Sequence, residues 1–238
     1  MIRLRAGLGF AALVAAVLAC PAHAAPDDDE IATALFARTN HLRAMSDLQA
    51  LTTEPRLTSA AQRFAEYMAG TDRYGHQADG RQPADRAQAH GYDNCLVAEN
   101  IAFASNDNGF DADDLAALLF DGWTTSPPHR RNLLDGELTE VGIATAYSAH
   151  SDRYYAVQLF GRPRSMATRF DLINASGATV TYQLGNRNYE LAPGVVRSHL
   201  QCRRAGLSLQ GSPSAITPGN GARYRIERSG DAVRLQAE

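Results

Sequence analysis

The chain changes its periodicity once. Ahead of Arg162-Pro163-Arg164-Ser165, apolar residues recur mainly at helical spacing; beyond it they alternate over short runs broken by Gly and Pro. The first pattern suits helices laid on a sheet. The second suits an all-β layer structure. The chain of 238 residues therefore reads as two parts in series, and any function has to be sought in each separately.

A third, much shorter segment precedes both. Met1 to Arg5 carries two arginines, Ala6 to Cys20 is an uncharged apolar run, and Ala22-His23-Ala24 is a small-x-small cleavage site. This is the layout of a secretory signal peptide, residues 1–24. The apolar run is 15 residues long, and a comfortable transmembrane span needs about 20. Val17-Leu18-Ala19-Cys20 is the alternative processing signal, a lipobox that would leave a lipid anchor on Cys20. Cleavage after Ala24 leaves 21 arginines, no lysine and 26 acidic residues, a net charge of −5. With that balance and no basic patch, nucleic acid is not an expected partner. Asp27-Asp28-Asp29-Glu30 is a solvated acidic run that suits a helix start.

Helices are expected over Ile31–Leu48, with Ile31, Leu35, Phe36, Leu42, Met45 and Leu48 as the apolar stripe, and over Leu57–Met68, capped by Thr58 or Ser59. Two more follow. One is Pro83–His90, closed by Gly91; the other is Asp111–Trp123, with Asp111 as cap and Leu115, Leu118, Leu119 and Trp123 facing inward. Val141–Tyr147 and Tyr154–Gly161 alternate as strands. After the break, short strands are expected over Arg169–Asn174, Ala178–Leu184, Val195–Leu200, Leu207–Leu209, Ala222–Glu227 and Ala232–Gln236. That module, residues 167–238, is near the lower size for independent stability. Cys95 and Cys202, 107 positions apart, are a disulfide pair in an exported chain and would tie the two parts together.

Chemistry concentrates in three islands of the first part: Gly75-His76, Ala98-Glu99-Asn100-Ile101, and Trp123-Thr124-Thr125-Ser126-Pro127-Pro128-His129-Arg130. Each sets an imidazole or carboxylate beside turn-forming residues, where sites are usually built. His76 follows a glycine in a loop. Ser126 is placed to cap a helix with proline in its first turn, which puts His129 near the helix start, where the dipole favours a neutral imidazole. Two neutral imidazoles and a carboxylate match the donors of an open zinc site. The plainer reading is a buried His76–Glu99 pair that fixes loops, with His129 packed on Trp123. No Gly-x-Ser-x-Gly, His-Glu-x-x-His or phosphate-binding glycine loop is present.

Over residues 31–163 the chain resembles the CAP superfamily (cysteine-rich secretory proteins, antigen 5 and pathogenesis-related class 1 proteins), and its bacterial branch in particular. The resemblance is carried by Asn40-x-x-Arg43, Leu57-x-x-Ala60-Ala61, Ala69 through His76, Arg86 with Gly91-Tyr92, Ala98-Glu99-Asn100-Ile101, Trp123-x-x-Ser126-Pro127-Pro128-His129-Arg130-Arg131-Asn132, Thr139-Glu140-Val141-Gly142 and Tyr155-x-Val157-Gln158-x-Phe160-Gly161. It implies an α+β fold, an α-β-α sandwich over residues 25–163, followed here by the small all-β module. It also implies a cleft built from His76, Glu99 and His129, with Asn100 and Ser126 beside them, able to hold a divalent metal such as zinc through His76 and His129. Ser126 stands where many relatives carry a glutamate, and Glu137-Leu138 where they carry a histidine, so the expected ligand set is reduced. Two functions follow from the resemblance. One is an exported binding protein for a small or lipidic ligand or a metal at the cell envelope, periplasmic or extracellular, with a possible envelope partner on the β module. The other is a metal-assisted hydrolase of peptide or envelope substrates with Glu99 as base.

Overall fold

The computed structural model describes residues 26–230 and 232–238. The expected signal peptide and Cys20 lie outside them. In chain order the elements are α1 (Asp28–Ala44), β1 (Thr52–Thr53), α2 (Pro55–Thr71), α3 (Pro83–Ala89), β2 (Asn94–Ala104), α4 (Ala112–Thr125), α5 (Pro127–Leu133), β3 (Glu140–Ser148) and β4 (Arg153–Pro163). A single 3-10 turn, Arg164–Met166, then leads into β5 (Thr168–Asn174), β6 (Val180–Leu184), β7 (Arg187–Leu191), β8 (Val196–Gln201), β9 (Leu207–Leu209), β10 (Ala222–Ser229) and β11 (Ala232–Ala237).

The first nine elements form three layers. The central sheet has the order β1-β3-β4-β2, with β3 and β2 both antiparallel to β4. On one face α2 and α3 bury Leu57, Phe64, Met68 and Ala87 against Ile101, Tyr155, Val157 and Leu159. On the other, α1, α4 and α5 bury Ile31, Leu35, Leu115, Leu119, Trp123 and Leu133 against Val141, Ile143 and Phe160. This is the α-β-α sandwich. The helix α2 lies close on β3 because Gly142 has no side chain. A Cβ there would stand 2.1 Å from the backbone of Leu57 and Thr58, a distance no packing tolerates.

Local chemistry sets the helix ends, and here the structure corrects several readings. Asp27 caps α1 by accepting from the Asp29 amide, and the helix ends at Ala44, short of Leu48. Glu54, not Thr58 or Ser59, caps α2; Pro55 then takes the first turn, where a missing N–H costs nothing. Asp111 caps α4 as expected, accepting from the Asp114 amide at 2.8 Å. Leu118 is 51% exposed, one position off the buried stripe of Leu115, Leu119 and Trp123. The buried Arg43 closes the loop after α5: it donates to the carbonyls of Gln49, Leu133, Asp135 and Leu138 at 2.9–3.2 Å.

Strands β5 to β11 make two sheets, β11-β10-β5-β8 and β7-β6-β9, around a core of Phe170, Leu172, Tyr182, Leu191, Leu207, Tyr224 and Ile226. The expected β character holds, with β7 as a strand the sequence reading lacked. Cys95 and Cys202 are bonded, with Cα atoms 5.2 Å apart. Beside the bond, Arg203 pairs with Asp135 at 2.6 Å, and Arg162 pairs with Glu137 at 2.7 Å while donating to the Met166 carbonyl at 3.0 Å.

Candidate functional site

β2 is the free edge of the central sheet, and the three islands meet along it. Its residues alternate: Glu99 and Ile101 look toward the α2 layer, Asn100 toward the α1–α4 layer. An edge strand leaves outward carbonyls in need of donors. Here Ile101 O accepts from Tyr74 Oη and Trp123 Nε1, both at 3.1 Å, and Glu99 O accepts from Asn132 at 3.2 Å. Side chains thus take the place of a neighbouring strand.

Glu99, 5% exposed, is the buried carboxylate of this edge. Its Oε2 accepts from Arg86 Nη2 at 2.6 Å and its Oε1 from His76 Nδ1 at 2.8 Å. A carboxylate paired with a guanidinium can only accept, so Nδ1 of His76 carries a proton, and in the neutral ring the lone pair is on Nε2. His76 itself is about half exposed, its side chain at 48%. His129 approaches from α5. Its ring centre is 6.4 Å from that of His76, inclined by 55°. Burial first, and the His76 imidazole second, hold the His129 pKa below the ordinary histidine value. The direction is the one expected from sequence. The causes seen are burial and the neighbouring imidazole, beside the helix start at which the sequence placed His129.

The other expected site residues have supporting places. Asn100, fully buried, donates to the His129 carbonyl at 3.2 Å and accepts from Asn132 at 2.9 Å. It fixes the backbone of His129 and does not face the cleft with Glu99. Ser126 is the N-cap position of α5, where the chain turns out of α4, but its hydroxyl makes no capping bond. Sequence reasoning missed Arg86 as a site residue. The available signal was an arginine next to Ala87 on the one face that this short helix has to bury. A cation on a buried face needs an anion, and Glu99 was already placed beside His76 in the motif set.

A cation entering the cleft would meet two imidazoles, and Glu99 is turned to Arg86. Among the described residues no three His, Cys, Asp or Glu side chains gather in metal-holding geometry. The His76–His129 spacing bears on the fit. A zinc–nitrogen bond of about 2.0–2.1 Å puts an ion roughly 3 Å from the ring centre. A tetrahedral ion bound by both rings would bring their centres to about 5 Å, so at 6.4 Å sharing one ion requires the half-exposed His76 ring to move toward His129. A two-nitrogen site therefore needs a side-chain shift.

The sequence profile of the CAP, or cysteine-rich secretory protein, family matches residues 36–160, over half of the chain. The protein belongs to the CAP family. An outer surface protein from Borrelia burgdorferi has the same fold, with a TM-score of 0.51 at 20% identity over 58% of this chain and 96% of that one. An extracellular protein containing a SCP domain from Bacillus anthracis is 27% identical over 57% of this chain and 41% of its own, with a TM-score of 0.47. A cysteine-rich secretory protein from Staphylococcus aureus is 20% identical over 56% and 38%, with a TM-score of 0.43. No curated protein matches significantly.

Proposed function

We propose that this is an exported binding protein of the cell envelope whose cleft captures a divalent cation, or a small ligand carrying one, between His76 and His129. The observation that carries the reading is the chain Arg86–Glu99–His76, which sets the Nδ1 proton of His76 on Glu99 and so puts the lone pair of the neutral ring on Nε2, with the His129 ring centre 6.4 Å away. A carboxylate behind a ligating histidine is the usual device for orienting it. On this reading Glu99 positions and does not act as a base, because both of its oxygens are already engaged by donors. That weighs against the hydrolase alternative. The disulfide, which forms and persists in oxidising compartments, supports export. No described helix is long and apolar enough to cross a membrane.

A second reading, an apolar or lipidic ligand, has its own support: a groove of about 400 Å³ over Ala32, Phe36 and Ile143, edged by Thr53 and Thr58. The β module would then brace the ligand-bearing part or meet an envelope partner. Calorimetric titration with ZnCl₂ at pH 7.5 separates the readings. Wild type should bind one ion, and His76→Ala and His129→Ala should each weaken binding more than about tenfold, since one imidazole alone is a poor site. Unchanged zinc binding in the double variant would overturn the cation reading. Fatty acid recovered by mass spectrometry from native protein would favour the second.

A further inference from the structure

Arg86 makes more directed contacts than its place on a seven-residue helix requires. Its side chain is 4% exposed. Nη1 donates to Asp79 Oδ1 at 2.8 Å and to the Arg81 carbonyl at 2.9 Å; Nη2 donates to the His76 carbonyl at 3.0 Å and to Glu99 Oε2 at 2.6 Å. The guanidinium carbon lies 3.6 Å from the centre of the Phe64 ring. All four terminal N–H groups are therefore used, two on carboxylates and two on carbonyls of the loop that carries His76, and the plane is clamped from one side by an aromatic face. That loop is anchored elsewhere by the Tyr74 hydroxyl on Ile101 O and by Asp72, which accepts from Ser148, Ser151 and Tyr155.

We infer that Arg86 is the positioning residue of the cleft: it fixes the ring orientation and the tautomer of His76, through Glu99 on the side-chain end and through the His76 carbonyl on the backbone end. The inference rests on the reading of His76 as a cleft ligand, but it concerns the metal-free protein. Arg86 holds Glu99 Oε2, so Glu99 can offer only Oε1 to the imidazole. Arg86 also holds the His76 carbonyl, which fixes the backbone position from which the ring reaches that oxygen. The result is that the neutral ring keeps its proton on Nδ1 and its lone pair on Nε2 before any ligand arrives. An ammonium cannot replace this fork, because a point charge reaches Glu99 or Asp79 but not both together with two carbonyls.

The test is the tautomer of His76 read by long-range ¹H–¹⁵N spectra of the metal-free full chain. In wild type the Nδ1–H form should exceed the Nε2–H form by more than about tenfold, the ratio expected for a bond to a charged acceptor. Arg86→Lys should lower that ratio severalfold while thermal unfolding remains cooperative. Asp79→Asn, which loosens only the far side of the fork, should lower it less; it also serves where the Arg86 variant is too unstable to study. Glu99→Gln should reverse the ratio, since its amide oxygen must turn to Arg86 and its NH₂ then donates to Nδ1. A wild-type ratio in folded Arg86→Lys, or an unreversed ratio in Glu99→Gln, overturns the inference. Neither result depends on whether zinc binds, which the calorimetric series decides alone.

Discussion

The two regions bury polar groups in opposite ways. The sandwich of residues 28–163 buries Arg43, Arg86, Glu99 and Arg162. Among the described residues of the β module no charged side chain is buried; Asn174, Ser176 and Gln201 are the polar ones. Taking a charge out of water costs several kcal/mol unless it is paired and hydrogen-bonded, so a fold carries such groups only with partners built around them. The sandwich supplies those partners at Arg86 and Arg43, beside the cleft and the loop after α5. In the module an aromatic cluster takes that place, with the charge of Arg197 kept at its partly exposed edge: the Tyr182 hydroxyl meets His199 Nε2 at 2.7 Å, and His199 stacks on Phe170. The difference separates a region organised around a charged site from one organised around packing.

The largest test of that separation is the cross-link. Cys202→Ser should lower stability by up to about 4–5 kcal/mol in the chain-entropy model for a loop of this length. In denaturant the module should then melt before the sandwich, since about 70 residues make a marginal core. A single transition with an unchanged midpoint would mean that the two regions do not depend on the bond. Next in size is a matched pair of hub residues. Arg43→Met leaves four carbonyls without their donor and should cost about 3 kcal/mol or more. Asn174→Ala removes donors to the carbonyls of Ala178 and Leu191, and an acceptor for Ser176, and should cost about 2 kcal/mol. Equal losses in urea unfolding would erase the contrast between charged and neutral hubs.

The smallest effect is a slope with pH. Burial first, and Arg197 second, hold the His199 pKa below its ordinary value of 6.5. The unfolded chain therefore binds this proton more readily than the folded one. The stability involved is complete above pH 6.5 and is lost as pH falls through that value toward the folded one. The groups facing the ring are Arg197, Tyr182, Tyr189 and Phe170. His199→Phe should flatten the module's melting temperature across pH 7.5 to 5.5; an unaltered slope would assign the effect elsewhere.

The sequence made the sandwich helices legible because their apolar stripes keep period through one buried face, as Leu115, Leu119 and Trp123 do. It also brought His76, Glu99 and His129 together from ordered motifs. β2 was not legible as a strand. Glu99 and Asn100 interrupt its apolar run, since each enters a polar network on opposite faces of an edge. β7 was missed although a two-residue turn announces it: Leu184 pairs with Arg187 across Gly185-Asn186, with Gly185 at φ +62°. Its exposed Arg187, Asn188 and Glu190 hide the alternation. Arg86 was not legible as a hub because its acceptors, Asp79, Glu99 and two carbonyls, converge only once α3 docks on β2.

The cross-link also orders events in time. Domains made first tend to fold first as the chain emerges, at about 5–20 residues per second. The sandwich is complete at Pro163, and its β2 then displays Cys95 as a lone thiol while 39 further residues are made before Cys202 can reach it. Among the described residues these two cysteines have one intramolecular pairing. The bond is thus a completion mark. A chain truncated before Cys202 keeps a free thiol four residues from Glu99 on the same strand, and a finished chain in an oxidising compartment does not.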